Sequence, residues 1–151
     1  MPKPGAEHKK LSWFAGRWDG EERLSPSPWD PEGGRASGHY DWRPALDGFY
    51  VIGDYRQERE GAVNFRGHAV ISWDAPTSRY VMFWFDSTGF VPATPSFGTW
   101  DDDTLTVGHQ DAMGHHRYSW TVRGGRMEMM IENSPDGNDW STFLEGSYKR
   151  V

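Results

Sequence analysis

The sequence contains no cysteine and no long apolar run. The lack of cysteine excludes a disulfide framework and a thiol nucleophile, and it fits a reducing compartment. No stretch approaches the roughly 18 consecutive apolar residues of a membrane-spanning helix. The first ten residues are polar and lack the apolar segment of a signal peptide. We therefore expect a cytoplasmic protein with no membrane partner.

Positive charge is also scarce, with 16 Lys and Arg against 22 Asp and Glu and a net charge of −6. Nucleic-acid binding needs clustered basic residues to neutralise phosphates, and those present here are scattered. We therefore expect no nucleic-acid partner. Neither a Gly-x-Ser-x-Gly nucleophile motif nor a glycine-rich phosphate loop occurs, so the sequence assigns no catalytic residue.

Aromatic residues are abundant, at 15% of the chain with nine tryptophans. Their rings combine apolar bulk with a polar edge, which suits a packed core and a lined cavity equally. Residues 1–9 are polar and interrupted by Pro2, Pro4 and Gly5, which predicts a flexible tail. Residues 10–151 are enough for one domain.

Apolar and polar residues alternate with a period of two through most of this domain, which is the pattern of β-strands. One helical turn at residues 11–15 precedes them. The predicted strands are residues 17–24, 36–42, 49–57, 64–73, 80–85, 98–100, 104–109, 115–122, 127–133 and 142–150. Short turns make neighbouring strands antiparallel, and closure of the sheet removes its two unpaired edges. We therefore predict an all-β fold, a single antiparallel up-and-down β-barrel of about ten strands with a short N-terminal helical turn.

The segment Gly16-Arg-Trp18, which follows the apolar helical turn, resembles the opening of the calycins, the group that includes the lipocalins, fatty-acid-binding proteins and nitrobindin-like proteins. In that group the tryptophan of the first strand closes one end of the barrel, and a basic residue of the last strand packs on its ring. The resemblance therefore implies a calycin-like barrel in which Arg150 packs on Trp18.

Further motifs resemble a family of small bacterial proteins known only as a domain of unknown function. They are Ala45-Leu-Asp-Gly-Phe49, Asp54-Tyr-Arg-Gln57, Trp84-Phe-Asp-Ser87, Gly98-Thr-Trp-Asp101, Asp136-Gly-Asn-Asp-Trp140 and Glu145-Gly-Ser-Tyr148. This resemblance covers nearly all of residues 10–151. It implies a barrel and carries no activity.

Strand parity places a surplus of aromatic rings and a few polar groups inside the barrel, the composition typical of a ligand pocket. We predict that a small hydrophobic or aromatic molecule binds there. The predicted lining residues are Tyr40, Trp42, Tyr55, Trp84, His109, His116, Tyr118 and Trp120. The alternative is that the large rings fill the barrel completely.

Two histidines have inward parity near one predicted turn. If residues 111–114 form the loop, the hairpin register pairs His109 with His116, whereas His115 faces the opposite side. Two neutral imidazoles can bind a metal or relay a proton. Alternatively they hydrogen-bond each other or water, and we expect no metal or cofactor. Glu22 is also inward, either as an acid for proton transfer or paired with an internal arginine or water.

Two rival functions stay open. The first is a haem-binding nitrobindin-like enzyme acting on reactive nitrogen species, which needs an axial histidine. The nitrobindin pattern places it near the C-terminal strands, where residues 127–151 have none, so His109 or His116 would substitute. The second is an interaction module. The strand at 80–85 is apolar on both faces, and Val81, Phe83 and Phe85 could join two copies as a homodimer.

Overall fold

The computed structural model describes all 151 residues. Helix α1 (Ala6–Lys10) leads into a 3₁₀ turn (Leu11–Phe14), and a second 3₁₀ turn (Leu46–Gly48) joins the second and third strands. The ten strands are β1 (Gly16–Leu24), β2 (Gly34–Ala45), β3 (Tyr50–Arg59), β4 (Ala62–Asp74), β5 (Arg79–Asp86), β6 (Ser96–Asp101), β7 (Thr104–Asp111), β8 (Gly114–Arg123), β9 (Arg126–Ser134) and β10 (Ser141–Arg150).

Each strand pairs antiparallel with its neighbours in sequence, and β1 also pairs with β10, so the sheet closes into a barrel. The predicted all-β barrel of ten strands is confirmed. The register is regular along most of the sheet, with shifts between Gln57 and Glu58 on β3 and between Thr142 and Leu144 on β10. Trp18, for example, lies opposite Tyr40 of β2 and Arg150 of β10.

The first 3₁₀ turn closes one end of this barrel. Its Leu11 and Phe14 side chains are buried. The Phe14 ring packs against Trp42 and Trp100, with centroid distances of 4.8 and 5.4 Å. The indole of Trp18 donates a hydrogen bond to the Phe14 carbonyl at 2.8 Å, which fixes the turn on the first strand.

Arg150 covers the outer side of this end. Its guanidinium carbon lies 4.4 Å from the centroid of the Trp18 ring, as the resemblance implied. The guanidinium also donates to the carbonyls of Ala15 and, at 3.1 Å, Trp13. The last strand thereby holds the N-terminal turn in place, and a cation–π contact of this kind contributes about 1–2 kcal/mol.

Helix α1 begins inside the segment predicted to be a flexible tail, residues 1–9, and ends one residue beyond it. The proline and glycine residues that favoured a tail end at Gly5, and Ala6–Lys10 is rich in residues of high helix propensity. The Gly5 amide donates to His8 Nδ1 at 3.1 Å, and the Tyr80 hydroxyl donates to the Glu7 carbonyl at 2.7 Å. The helix is therefore joined to β5. None of the helical segments has the length and apolar character needed to cross a lipid bilayer.

The two faces of β5 separate as parity predicted. Tyr80 and Met82 are buried inside the barrel, whereas Phe83 and Phe85 point outward and are 41% and 43% exposed. The homodimer contact through this outer face stays a prediction.

Candidate functional site

The interior of the barrel divides into two halves along its axis. In the closed half, next to the first 3₁₀ turn, all but one of the inward rings are buried, the exception being the partly buried Trp73; the buried rings are Phe14, Trp18, Tyr40, Trp42, Tyr80, Trp100 and Trp120. In the open half, at the opposite end, the inward side chains are only partly buried; they include Phe65, Trp84, His109, His116, Tyr118 and Ile131. The apolar ones among these side chains pack against the core, and all of them are partly accessible to solvent at this end of the barrel.

The closed half is packed ring against ring. Tyr40 stacks on Trp42 with a centroid distance of 5.7 Å and an interplanar angle of 12°. Trp42 meets Trp120 edge to face at 6.3 Å. Gly53 makes room for this packing, because a Cβ at that position would lie 2.4 Å from the Trp42 ring. The density of these contacts makes this half a structural core.

A buried carboxylate separates the two halves. Glu22 accepts hydrogen bonds from the hydroxyls of Tyr55, at 2.7 Å, and Tyr148, and from Gln57 Nε2 at 3.0 Å. The Gln57 amide oxygen accepts in turn from Asn64 at 3.0 Å. The donors to Glu22 are all neutral, so hydrogen bonds rather than an internal arginine stabilise its charge. This network forms a polar floor to the open half.

The floor also constrains its tyrosines. Burial first, and then the charges of neighbouring groups such as Tyr40 and Glu22, raises the pKa of Tyr55 and of Tyr148 well above the ordinary value. Both therefore remain hydrogen-bond donors to the carboxylate across the whole neutral range.

Aromatic rings form the wall of the open half. Trp84 lies across Gly67, where a Cβ would come within 2.2 Å of the indole, and its Nε1 donates to Asp86 Oδ2 at 2.9 Å. Tyr55 contacts Trp84 with a centroid distance of 6.1 Å. Burial, with smaller contributions from the charges of Asp111 and Asp86, raises the pKa of Tyr118 to about 12.

Two histidines face each other at the mouth. The register of β7 and β8 pairs His109 with His116, as predicted, and their ring centroids are 4.9 Å apart. The Tyr118 ring stacks parallel to His109 at 6.0 Å. His115 points to the outside of the barrel, where it meets the Trp140 ring at 6.5 Å. Only His109 and His116 therefore belong to the interior.

Asp111 completes a cluster with these two histidines. We predicted residues 111–114 to form a loop, but Asp111 is the last residue of β7 and pairs with Gly114. It therefore keeps the inward parity of His109. Its carboxylate lies 2.9 Å from His116 Nε2 and 3.6 Å from His109 Nε2. The sequence signal was its position two residues after His109, on the same face.

The other nitrogen of each imidazole also has a partner. His109 Nδ1 lies 2.8 Å from the Ser96 hydroxyl of β6, and His116 Nδ1 lies 2.7 Å from Asn133 Oδ1 of β9. Ser96 and Asn133 were not predicted as partners, although they lie on the strands adjacent in the chain, 13 residues from His109 and 17 residues from His116. These contacts fix the orientation of both rings.

The cluster is electrostatically coupled. Burial, followed by the charge of His116, lowers the pKa of His109, and Asp111 opposes this only in part. Burial alone would raise the pKa of Asp111. The hydrogen bonds from His116 and the Met113 amide, together with the charges of both histidines, lower it instead. At neutral pH Asp111 is therefore an anion beside a neutral His109.

Comparison with known proteins places the chain among relatives. A family model described as a protein of unknown function (DUF1579) matches residues 3–150. The chain belongs to this family. The resemblance to a family without assigned activity is thus confirmed, whereas no curated protein matches the sequence. This DUF1579 chain also resembles the crystal structure of Rv2717c from M. tuberculosis, with a TM-score of 0.74. The likeness covers 97% of this chain and 98% of that one at 10% identity, and so it shows the fold alone.

The eight predicted lining residues of the DUF1579 barrel fall into two groups. Trp84, His109, His116 and Tyr118 surround the open half, and Tyr55 lies at its floor. Tyr40, Trp42 and Trp120 are part of the ring cluster in the closed half. Parity predicted that all eight point inward, but it could not give their depth along the barrel axis.

Proposed function

We propose that this DUF1579 protein binds one small apolar or aromatic molecule in the open half of its barrel. The observation that carries the proposal is the partial exposure of inward Phe65, Trp84 and Tyr118 above a buried polar floor. Aromatic side chains that face inward and yet meet solvent offer apolar surface whose burial by a ligand is favourable.

The polar groups of the open half define what the ligand carries besides an apolar body. The cluster of His109, Asp111 and His116 lies at the mouth, next to the Tyr118 ring. Its donors and acceptors orient a polar group at the mouth while the rings contact the apolar part. A ring system with one polar substituent satisfies both regions.

Titration with 1-anilinonaphthalene-8-sulfonate, an apolar aromatic probe with a charged substituent, tests this proposal. We expect saturable one-to-one binding with a rise in probe fluorescence. Trp84→Leu removes the aromatic wall and should weaken binding about tenfold, the equivalent of about 1.4 kcal/mol. Phe83→Leu is the matched control, because Phe83 directly precedes Trp84 in β5 and points outward.

Two results would contradict the proposal. One is the absence of saturable binding to the folded wild-type protein. The other is equal weakening by Trp84→Leu and Phe83→Leu, which would place the probe on the outer surface. Far-UV circular dichroism of each variant establishes that the barrel is intact.

A further inference from the structure

The cluster at the barrel mouth contains three side chains of the kinds that bind transition metals. His109, Asp111 and His116 each place one potential ligand atom within 4.8 Å of the other two. We propose that these three residues bind one divalent transition-metal ion, with Zn²⁺ as the reference ion. The proposal concerns the metal alone and does not depend on the apolar ligand.

The spacing of the donor atoms fits a tetrahedral ion. Zinc bonds to imidazole nitrogen and carboxylate oxygen are about 2.0–2.2 Å long, which puts neighbouring ligand atoms about 3.3 Å apart. His116 Nε2 lies 2.9 Å from Asp111 Oδ1, and His109 Nε2 lies 3.6 Å from Asp111 Oδ2, so each imidazole faces a different oxygen of the carboxylate. The ligand atoms of the three residues lie within 4.8 Å of one another, and binding of one ion requires rotation of the side chains so that both imidazoles and the carboxylate meet it.

The orientation of the two imidazoles also suits a metal site. Each ring uses Nδ1 to contact a second polar group, Ser96 for His109 and Asn133 for His116. Nε2 of each ring is left to face Asp111. Metal-binding histidines are commonly held in this manner, with one nitrogen hydrogen-bonded and the other directed at the ion.

The contacts of His116 show which atom would meet an ion. Its Nδ1 lies 2.7 Å from Asn133 Oδ1, and its Nε2 lies 2.9 Å from Asp111 Oδ1. With the ring hydrogen on Nδ1, donated to Asn133, Nε2 is available to bind a metal ion together with the carboxylate. A nitrogen that binds a metal carries no hydrogen, so metal binding depends on pH.

Three protein ligands leave one position of a tetrahedral ion open. Structural zinc sites use four protein ligands, whereas catalytic sites keep one position for water or substrate. Two imidazoles and one carboxylate are also a ligand set used for iron(II). The structure therefore assigns the mouth a site of the open type, able to take an oxygen or nitrogen donor as its fourth ligand.

Titration of the metal-free, tag-free chain with ZnCl₂ in the presence of a chromophoric chelator tests the site. We expect one ion per chain. Asp111→Asn and His116→Gln should each weaken binding at least tenfold, and Asn133→Ala should weaken it about tenfold by loosening the His116 ring. His115→Gln is the matched control and should leave the affinity within about twofold of wild type, since that ring lies outside the barrel.

The visible spectrum with Co²⁺ provides a second readout, because its intensity reports four-coordinate geometry and should disappear in Asp111→Asn. The proposal is overturned if the wild-type chain binds no Zn²⁺, or if His115→Gln loses as much affinity as His116→Gln. His109→Gln serves in place of any variant whose circular dichroism spectrum differs from wild type. Because no organic probe is present, failure here leaves probe binding in the open half intact.

Discussion

The closed and open halves of the barrel are built from the same strands and yet differ in what their inward side chains contact. On β8, Trp120 packs in the ring cluster, whereas Tyr118 and His116 meet solvent and polar groups. The change takes place between consecutive inward positions. Inward parity is thus a property of the whole strand, but participation in a site depends on depth along the axis.

The halves also differ in how they treat charge. Among the inward side chains, Glu22 lies at the boundary, and the open half adds Asp86, His109, Asp111, His116 and Arg59, which pairs with Asp30 at 2.7 Å. The closed half has only Arg150, at its outer rim, where its cation stacks on Trp18. Buried charge is costly without water or strong hydrogen bonds, so the charged side chains are concentrated at the more exposed end, whereas the polar groups buried in the closed half, such as the indole N–H of Trp42 and Trp120, are neutral.

The largest expected effect is a loss of stability at high pH. Burial raises the pKa of Tyr40, Tyr55 and Tyr148 well above the ordinary value, and that of Tyr118 to about 12. In the unfolded chain a tyrosine ionises near pH 10, so above that pH the unfolded state releases protons that the folded state retains. The contribution to stability is complete below about pH 10 and is lost as the pH rises towards the folded-state pKa values.

We therefore expect a cooperative alkaline transition in which most tyrosinate absorbance appears together with the loss of the far-UV circular dichroism signal. Ionisation of most tyrosines while the circular dichroism spectrum remains native would show that these side chains are not buried as described.

The next largest effect should come from tryptophan truncation in the two halves. Trp18→Ala removes a fully buried ring and its cation–π contact, and should lower the free energy of unfolding by about 3–5 kcal/mol. Trp84→Ala removes a partly buried ring and should cost about half as much. Urea denaturation measures both. Equal losses would remove the distinction between a structural and a solvent-reaching half.

The polar floor is tested by Glu22→Gln. The substitution turns one acceptor oxygen into an amide donor that faces the hydroxyls of Tyr55 and Tyr148. We expect a loss of about 1–3 kcal/mol in the free energy of unfolding. Glu21→Gln, an exposed neighbour on the outer face of β1, should change it by less than about 0.5 kcal/mol. Similar values for both variants would mean that the floor network contributes little.

The smallest effect concerns the rim of the closed half. Arg150→Met retains the aliphatic bulk but removes the cation over Trp18, and should cost about 1–2 kcal/mol. Lys149→Met, on the outer face of the same strand, is the control and should be near neutral. A loss as large for Lys149→Met would attribute the effect to general surface charge.

The positions of the strands and one hairpin pairing could be predicted from the sequence, whereas the exact length of a turn could not. Alternation predicted the strands, and a short turn predicted the pairing of His109 with His116. The strand at 80–85 is apolar on both faces, so alternation alone did not decide that Phe83 faces outward and Trp84 inward. Asp111 was missed because the turn is two residues shorter than we assumed. A change in turn length alters which residues belong to the strand, and therefore which ones keep its parity.

Partners on other strands were not predicted. Ser96 lies only 13 residues from His109, but β6 begins two residues before the predicted strand at 98–100, and the contact of Asn133 with His116 depends on the exact register of β9 against β8. Likewise Tyr148, which bonds to Glu22, lies 126 residues away in the chain. The depth of Trp42 and Trp120 depends on where Phe14 enters the barrel, and only the folded chain shows this.

The central claim is that the open half binds the ligand and that the closed half is the structural core of the barrel. It is tested most directly by the indole region of a ¹H–¹⁵N NMR spectrum. The chain has nine tryptophans, and each indole gives its own signal. On addition of 1-anilinonaphthalene-8-sulfonate, the signal of Trp84 should shift, while those of Trp18, Trp42 and Trp120 should not. Shifts of Trp42 and Trp120 with an unchanged Trp84 would place the ligand in the closed half and contradict the account.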